Sequence, residues 1–361
     1  MSQQSQTPQR RVTIHDVARE IGLSASTVSA ALNGTGKLRQ KTRDLVQRTA
    51  DRLGYRTSRS AQAFRLGRSG TIALVLPTVD DGAVPMLDLD FYMTFARVAA
   101  TAAFDAGFAL TLTPPKMKGE DGWRLLEADG VVLCDPVRND ERLTALERMG
   151  TPVVTLERDV GRPDRRAAVV SDHGVNMRKL LDHLHDQGAR QIAFIGADSS
   201  WSWAMESVSA YREWVAEHGL AETIRLVPLD QTHNDLHRTT FELLGEGGDR
   251  PDAIVAIAEQ YREGVLRACR EANVRIPTDV LVALGIDSPG CEWTEPPLTA
   301  IDLQPETQAR MAVSMLLRMI NGEQIEGPCR SDAVLRIRSS TISLGPANRR
   351  RGAFRAVGKG R

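Results

Sequence analysis

The 361 residues balance 46 basic against 46 acidic side chains, and 42% are hydrophobic. This is the composition of a globular chain of two or three domains. No apolar run approaches the ~18 residues of a membrane span. Residues 1–11 lack the apolar core of a secretory signal, so a cytoplasmic chain with no membrane contact is expected. Cys134, Cys269, Cys291 and Cys329 are too dispersed for a zinc site or a disulfide framework. The charge is unevenly distributed: residues 1–68 carry a net +9, residues 349–361 a net +6, and the remainder −15. A basic end on an acidic body suits a chain that neutralises phosphates at one end.

Residues 12–56 read as helices. Thr13 is a good N-cap for a helix over 14–21, with Asp16 at its positive end and Ile14, Val17, Ala18 and Ile21 on one face. Gly22 permits a tight turn. Ser24 caps a second helix over 25–32, whose inward residues are Val28, Ala31 and Leu32. Two short helices joined by a three-residue turn form a helix-turn-helix unit, whose second helix can lie in a DNA major groove. A third helix over 40–53 should turn Leu45, Val46, Ala50 and Leu53 inward and Lys41, Arg43, Arg48 and Arg52 outward. Asn33, Lys37, Arg39, Thr42 and Tyr55 suit phosphate contacts, which set register without reading sequence.

From Gly70 onward, short apolar runs alternate with helical stretches. Strands are predicted at Thr71–Leu76, Phe108–Thr113, Gly130–Cys134, Pro152–Leu156 and Ala167–Val170. Further strands are predicted at Gln191–Gly196, Arg225–Leu229, Ala253–Ile257 and Val280–Leu284. This alternation predicts parallel sheets covered on both faces. The length predicts two such α/β subdomains with a cleft between them, and ligands of such sheets sit outside the carboxyl ends of the strands.

The segments Thr13-Ile-His-Asp-Val-Ala, Gly22-Leu-Ser, Thr27-Val-Ser, Leu32-Asn33, Lys41-Thr-Arg and Leu53-Gly-Tyr55 resemble the head of the lactose repressor (LacI/GalR) family. The resemblance extends more weakly through the core to about Leu344. It implies an all-α helix-turn-helix head at 1–57 and a hinge helix and linker at 58–69. It also implies a periplasmic-binding-protein-like core of two doubly wound parallel-sheet subdomains at 70–345. The N-terminal subdomain is expected at about 70–169 and 299–330, and the C-terminal one at about 170–298 and 331–345. Crossovers are expected near Val170, Thr299 and Arg330, and residues 346–361 are expected as a disordered basic tail.

The family reads operator DNA with the start of its recognition helix. The expected contacts here are Thr13, Ser24, Ala25, Ser26, Thr27, Ser29 and Ala30, followed by Asn33, Lys37, Arg39, Thr42 and Tyr55. In the hinge they are Arg59, Ala61 and Phe64, where Phe64 stands in place of the family's leucine wedge in the minor groove. Arg39 replaces the usual serine cap of the third helix, so either Gln40 shifts the helix start or Arg39 trades the cap for a phosphate contact. The family binds a small effector, often a carbohydrate, in the core cleft. The residues that match the family there are Phe91, Tyr92, Asp172 and Asp287, whereas Ser207 falls where the family has an arginine and Ala258-Glu259 where it has Asn-Asp. Trp201 and Trp203 either stack on a sugar ring or fill core. An effector-independent regulator is the alternative.

No enzyme is expected, because the chain has neither a phosphate-binding loop nor a nucleophile elbow. His183 and His185 do not share a helix face, and no motif gives His233 and His237 a third ligand, so neither metal nor cofactor is expected. An exported solute-binding protein would need a signal peptide and no DNA head. Two heads meeting two half-sites imply a homodimer, with the helices near Phe91–Ala106 and Gln308–Ile320 as candidate interfaces. After Leu344 there are no leucine heptads for a tetramerising coiled coil.

Ala25, Ser26 and Ala30 offer few base-specific hydrogen bonds, so much of the selectivity falls to Phe64 and DNA shape. Phe64→Ala should therefore weaken operator binding more than Ala25→Gly does in an equilibrium titration. The reverse order would refute this division of labour.

Overall fold

The computed structural model describes residues 12–32, 34–55, 68–77, 86–113, 119–229, 233–245 and 250–342. It divides into two units, Met1–Gly70 and Thr71–Arg361. The expected hinge contacts Arg59, Ala61 and Phe64, together with Asn33 and the basic tail, lie outside the described residues.

The described residues of the first unit hold three helices, Ile14–Ile21, Ala25–Leu32 and Gln40–Leu53. Gly22 and Gly54 end the first and third in the left-handed conformation, at φ 66° and 70°. Glycine adopts that conformation at little cost. Val17, Ala18, Val28, Ala31, Val46 and Ala50 form the core. Leu45 does not join it and is 49% exposed. The buried stripe of the third helix runs through Val46, Thr49, Ala50 and Leu53 at helical spacing, which leaves Leu45 to one side of it. Arg39 occupies the N-cap position of this helix with no side-chain cap bond, so Gln40 does not shift the start.

The described residues of the second unit contain twelve strands: β1 Thr71–Val75, β2 Ala109–Leu112, β3 Gly130–Cys134, β4 Val153–Leu156, β5 Ala168–Ser171 and β6 Ile192–Ala197. The remaining six are β7 Thr223–Val227, β8 Ala253–Ala256, β9 Leu281–Leu284, β10 Thr299–Asp302, β11 Cys329–Ser331 and β12 Val334–Arg336. They form two six-stranded sheets, ordered β11-β5-β4-β3-β1-β2 and β12-β10-β9-β8-β6-β7. Every pairing is parallel except that of β12 with β10. The central strands β3, β4, β8 and β9 are buried along their whole length, as sheets covered on both faces require.

The chain passes between the sheets after β5, after β10 and after β11. The second crossing follows Asp302 and not Thr299, because Thr299 and Ala300 pair with Ala283 and Leu284 and so complete the C-terminal sheet. The strand expected at Arg225–Leu229 begins two residues earlier, at Thr223, where Tyr211 fixes it by accepting from the Thr223 amide at 2.9 Å.

The helix Asp90–Asp105 lies against the helix Pro305–Ile320 and carries Phe91 and Tyr92 in its first turn. Its Phe95 is fully buried in the main core. Phe95→Ala should cost about 3–5 kcal/mol. Urea unfolding followed by tryptophan fluorescence tests this, since all five tryptophans lie in the second unit. A shift within error of wild type would mean that the helix is not anchored there.

Candidate functional site

In the head, the expected DNA-facing positions gather around the start of the helix Ala25–Leu32. Ser24 caps it by accepting from the Thr27 amide at 3.1 Å. Its hydroxyl also lies 2.8 Å from that of Ser26 and 2.7 Å from that of Thr27. These hydroxyls are thus held together at the helix entry, with Ser24 and Ser26 exposed and Ala25, Ser29 and Ala30 half-buried beside them. Thr13 is exposed and its amide and hydroxyl both donate to Asp16, at 2.9 and 2.7 Å. Thr13 and Asp16 thus close a capping box at the start of the first helix. Lys37 and Arg39 are exposed, whereas Thr42 and Tyr55 are half-buried, with Tyr55 packed on the head core. The loop at Gly34 and Gly36 is left-handed at both glycines, and Arg43 pins it by donating to the Gly36 carbonyl at 2.9 Å.

In the core, a cavity of about 40 Å³ lies between the two sheets. Phe91 and Tyr92 wall one side, their rings meeting edge to face at 5.2 Å. Trp201 and Trp203 wall the other, with centroids 5.9 Å apart and exposures of only 5% and 8%. Both tryptophans therefore line the cavity while packing into the core. A void of this size holds a water or two.

Carboxylates enter this aromatic box from the carboxyl ends of successive strands. Asp135 follows β3, Glu157 follows β4, and His173 stands two residues beyond β5. Tyr92 donates to Asp135 at 2.6 Å. Glu157 accepts from the Ser171 amide at 3.2 Å, and its Oε1 lies 3.1 Å from His173 Nε2, an ion-pair contact without hydrogen-bond alignment. Asp135 and Glu157 have φ of 44° and 69°, a conformation that non-glycine residues hold at a cost and that recurs at functional sites. Asp135, Glu157 and His173 were missed in the sequence. Their signal was position alone: each is a titratable residue just past a predicted parallel strand.

Polar ties among the described residues cross the cleft. Glu259, from the C-terminal subdomain, accepts from the amides of Asp90 and Phe91 at 2.9 and 3.4 Å. It therefore closes the N-terminus of a helix in the other subdomain, where a carboxylate is favoured. Arg158, beyond β4, donates to Glu206 on the helix Ser202–Glu217 at 2.9 Å.

The other expected effector residues lie elsewhere. Asp172 caps the helix His173–Asp186 through the Val175 amide and pairs with Arg330 at 2.8 Å, outside the cavity lining. Ser207 is buried in the helix Ser202–Glu217 and does not line the cavity either. Asp287 is held by Arg338 through two contacts of 2.8 Å, and it faces a separate groove. Among the described residues, no cluster of His, Cys, Asp and Glu is placed to hold a metal ion, and no helix is long and apolar enough to cross a membrane.

Residues 13–58 match the family of lacI bacterial regulatory proteins, and residues 181–341 match the periplasmic binding protein-like domain. The HTH-type transcriptional regulator CelR of Thermobifida fusca is 29% identical over 88% of this chain and 94% of its own length. Catabolite control protein A of Staphylococcus xylosus is 25% identical over 88% of this chain and 95% of its own. Among solved structures, the Lac repressor dimer bound to operator and the anti-inducer ONPF superposes with a TM-score of 0.78. The two share 21% identity, over 92% of this chain and all of that one. The complex of CelR with cellobiose gives 0.67 at 26% identity, over 91% and 100%.

Burial, and then the neighbouring Glu157, push the Asp135 carboxyl up to about 7. The folded state thus holds this proton more tightly than an unfolded chain, whose aspartates titrate near ~4. Stability falls as pH rises between those values. His173 acts in the same direction. Burial opposes its charge, but the Glu157 carboxylate prevails and raises its pKa, so its contribution is present below ~6.5 and lost as pH rises through the raised value. Asp135→Asn should therefore lose less melting temperature than wild type between about pH 5 and pH 8. Parallel pH profiles for the two proteins would contradict the buried-proton assignment.

Proposed function

We infer that this chain, a LacI-family transcriptional regulator, reads operator DNA with its head and senses a neutral carbohydrate in the cleft of its core. The family match at residues 13–58 covers the helix-turn-helix unit, and the exposed hydroxyls and cations of that unit suit phosphate and base-edge contacts. The relatives are regulators and not enzymes, and we read this chain likewise as a non-enzymatic, cytoplasmic repressor. A homodimer fits this role, because Met93 and Phe104 are 50% and 69% exposed on the helix Asp90–Asp105 and two heads are needed for two half-sites.

The observation that carries the effector reading is the lining of the cavity. The closed cavity holds only a water or two, and once the cleft opens Tyr92, Trp201 and Trp203 would offer flat apolar faces to a pyranose ring. Asp135, Glu157 and Glu259 supply acceptors for its hydroxyls. Among the described residues, no Lys or Arg lines the cavity. A phosphate would meet Asp135, Glu157 and Glu259 there, while the cationic group of the lining, His173, is already engaged by Glu157. This selects a neutral sugar over a sugar phosphate, in keeping with a relative whose solved complex contains cellobiose. The ligand must bind the two arrangements of the cleft unequally to change operator affinity.

The test is fluorescence anisotropy with a DNA duplex selected by the full-length protein from a random pool. Titrations are run with neutral mono- and disaccharides and with their phosphates. A neutral sugar should shift operator affinity, and Trp201→Ala should abolish the shift. A shift produced only by sugar phosphates would overturn this reading. Silence from both sets, with DNA binding intact, would favour an effector-independent regulator.

A further inference from the structure

We propose that a relay of three hydroxyls centred on Ser24 fixes the hydrogen-bonding polarity of Ser26, so that Ser26 reads the exocyclic amino group of an adenine or a cytosine. The proposal rests on operator reading by the head and specifies the chemical group that is read. Ala25 and Ala30 have no polar side-chain atom. The Ser26 hydroxyl therefore carries whatever hydrogen-bonded base readout these three positions have. Ser26 is exposed, and Thr27, the next residue along the helix Ala25–Leu32, is half-buried.

The relay follows from the valence of each hydroxyl. A hydroxyl has one proton to give and two lone pairs to receive. Ser24 uses one lone pair on the Thr27 amide at 3.1 Å. One proton and one lone pair remain for its two hydroxyl neighbours, Ser26 at 2.8 Å and Thr27 at 2.7 Å. With both contacts made, one neighbour donates to Ser24 and the other accepts from it. In one arrangement Thr27 donates to Ser24 and Ser24 to Ser26, which leaves Ser26 its own proton. In the other, Ser26 donates to Ser24 and Ser24 to Thr27. Thr27 then keeps its proton, and Ser26 presents lone pairs alone.

Bound DNA decides between the two. Phosphate oxygens only accept, and Ser and Thr hydroxyls are among the groups that donate to them. A Thr27 proton given to a phosphate selects the second arrangement, and Ser26 faces the groove as an acceptor. The amino groups of adenine and cytosine are the donors that the major groove offers. Guanine N7 and O6 and thymine O4 are acceptors, for which Ser26 has no proton. Ser24 touches no base in this scheme. It is a positioning residue that turns a phosphate contact, which carries no sequence information of its own, into a base preference.

The test is equilibrium anisotropy with the full-length protein and the duplex that it selects from a random pool. Single-base-pair variants of that duplex, titrated with wild type and Ser26→Ala, locate the pair that Ser26 reads. Removing the amino group there (purine for adenine, 2-pyrimidinone for cytosine) should weaken wild-type binding about fivefold or more and leave Ser26→Ala indifferent. Exchanging the two bases of that pair between the strands should cost wild type a similar factor. In Thr27→Val the exchange should cost less than about twofold, although both duplexes bind more weakly. Ser24→Gly, a change that an N-cap tolerates, should relax the preference in the same way and is the second variant. Ser24→Thr, which keeps the hydroxyl, should retain it. An amino deletion without effect, or an exchange penalty unchanged in both Thr27→Val and Ser24→Gly, would overturn the relay and leave operator reading standing. So would the absence of any base pair sensitive to Ser26→Ala. Failure to select any duplex would overturn operator reading and the proposal together.

Discussion

The core depends on a helix that its own sequence does not cap. Leu89 occupies the N-cap position of the helix Asp90–Asp105 and has no side-chain oxygen to offer. The first amides of any helix lack intrahelical partners. Here the acceptor comes from the other subdomain, as the Glu259 carboxylate. Capping this helix and closing the cleft are thus one event. Opening the cleft hands two amides and a carboxylate to solvent, and the Arg158–Glu206 pair is the second contact that opening must break.

The composition of the cavity follows from that closure. With the cleft shut, Asp135, Glu157 and His173 sit in low dielectric, where charge is costly unless paired. Burial raises the pKa of Asp135, and Tyr92 and His173 partly offset it. Burial likewise raises Glu259, while the two amides it accepts from lower it. The site is a set of acceptors held in place by weakly satisfied partners, and a hydroxyl-rich ligand would complete their hydrogen bonds. A ligand entering this cavity would first have to overcome whatever closure contributes.

Much of this was legible in the sequence, to different depths. The head was legible because its signals are local: Gly22 and Ser24 act on their immediate neighbours, and the observed helices follow them. Leu45 was misread because one residue of rotation separates it from the buried stripe through Val46 and Thr49. Tyr92 and Trp201 were legible as aromatics near the cleft. Asp287 was not, because its partner Arg338 is 51 residues away in the chain and turns it to the outer groove. Glu259 was placed in the right cleft for the wrong reason, since its partners are backbone amides that no motif encodes. Asp135 and Glu157 follow strands that were placed correctly, but their inward orientation depends on sheet order, which single-chain periodicity does not carry.

The central claim is that Glu259 holds the cleft closed by capping the helix at Asp90 and Phe91. Hydrogen exchange at those two amides reports on it directly. In the ligand-free protein they should be protected well beyond an ordinary first helical turn, and Glu259→Ala should remove that protection while leaving the interior of the same helix, around Phe95, unchanged. Fast exchange of both amides in the wild-type protein, indifferent to the substitution, would contradict the account.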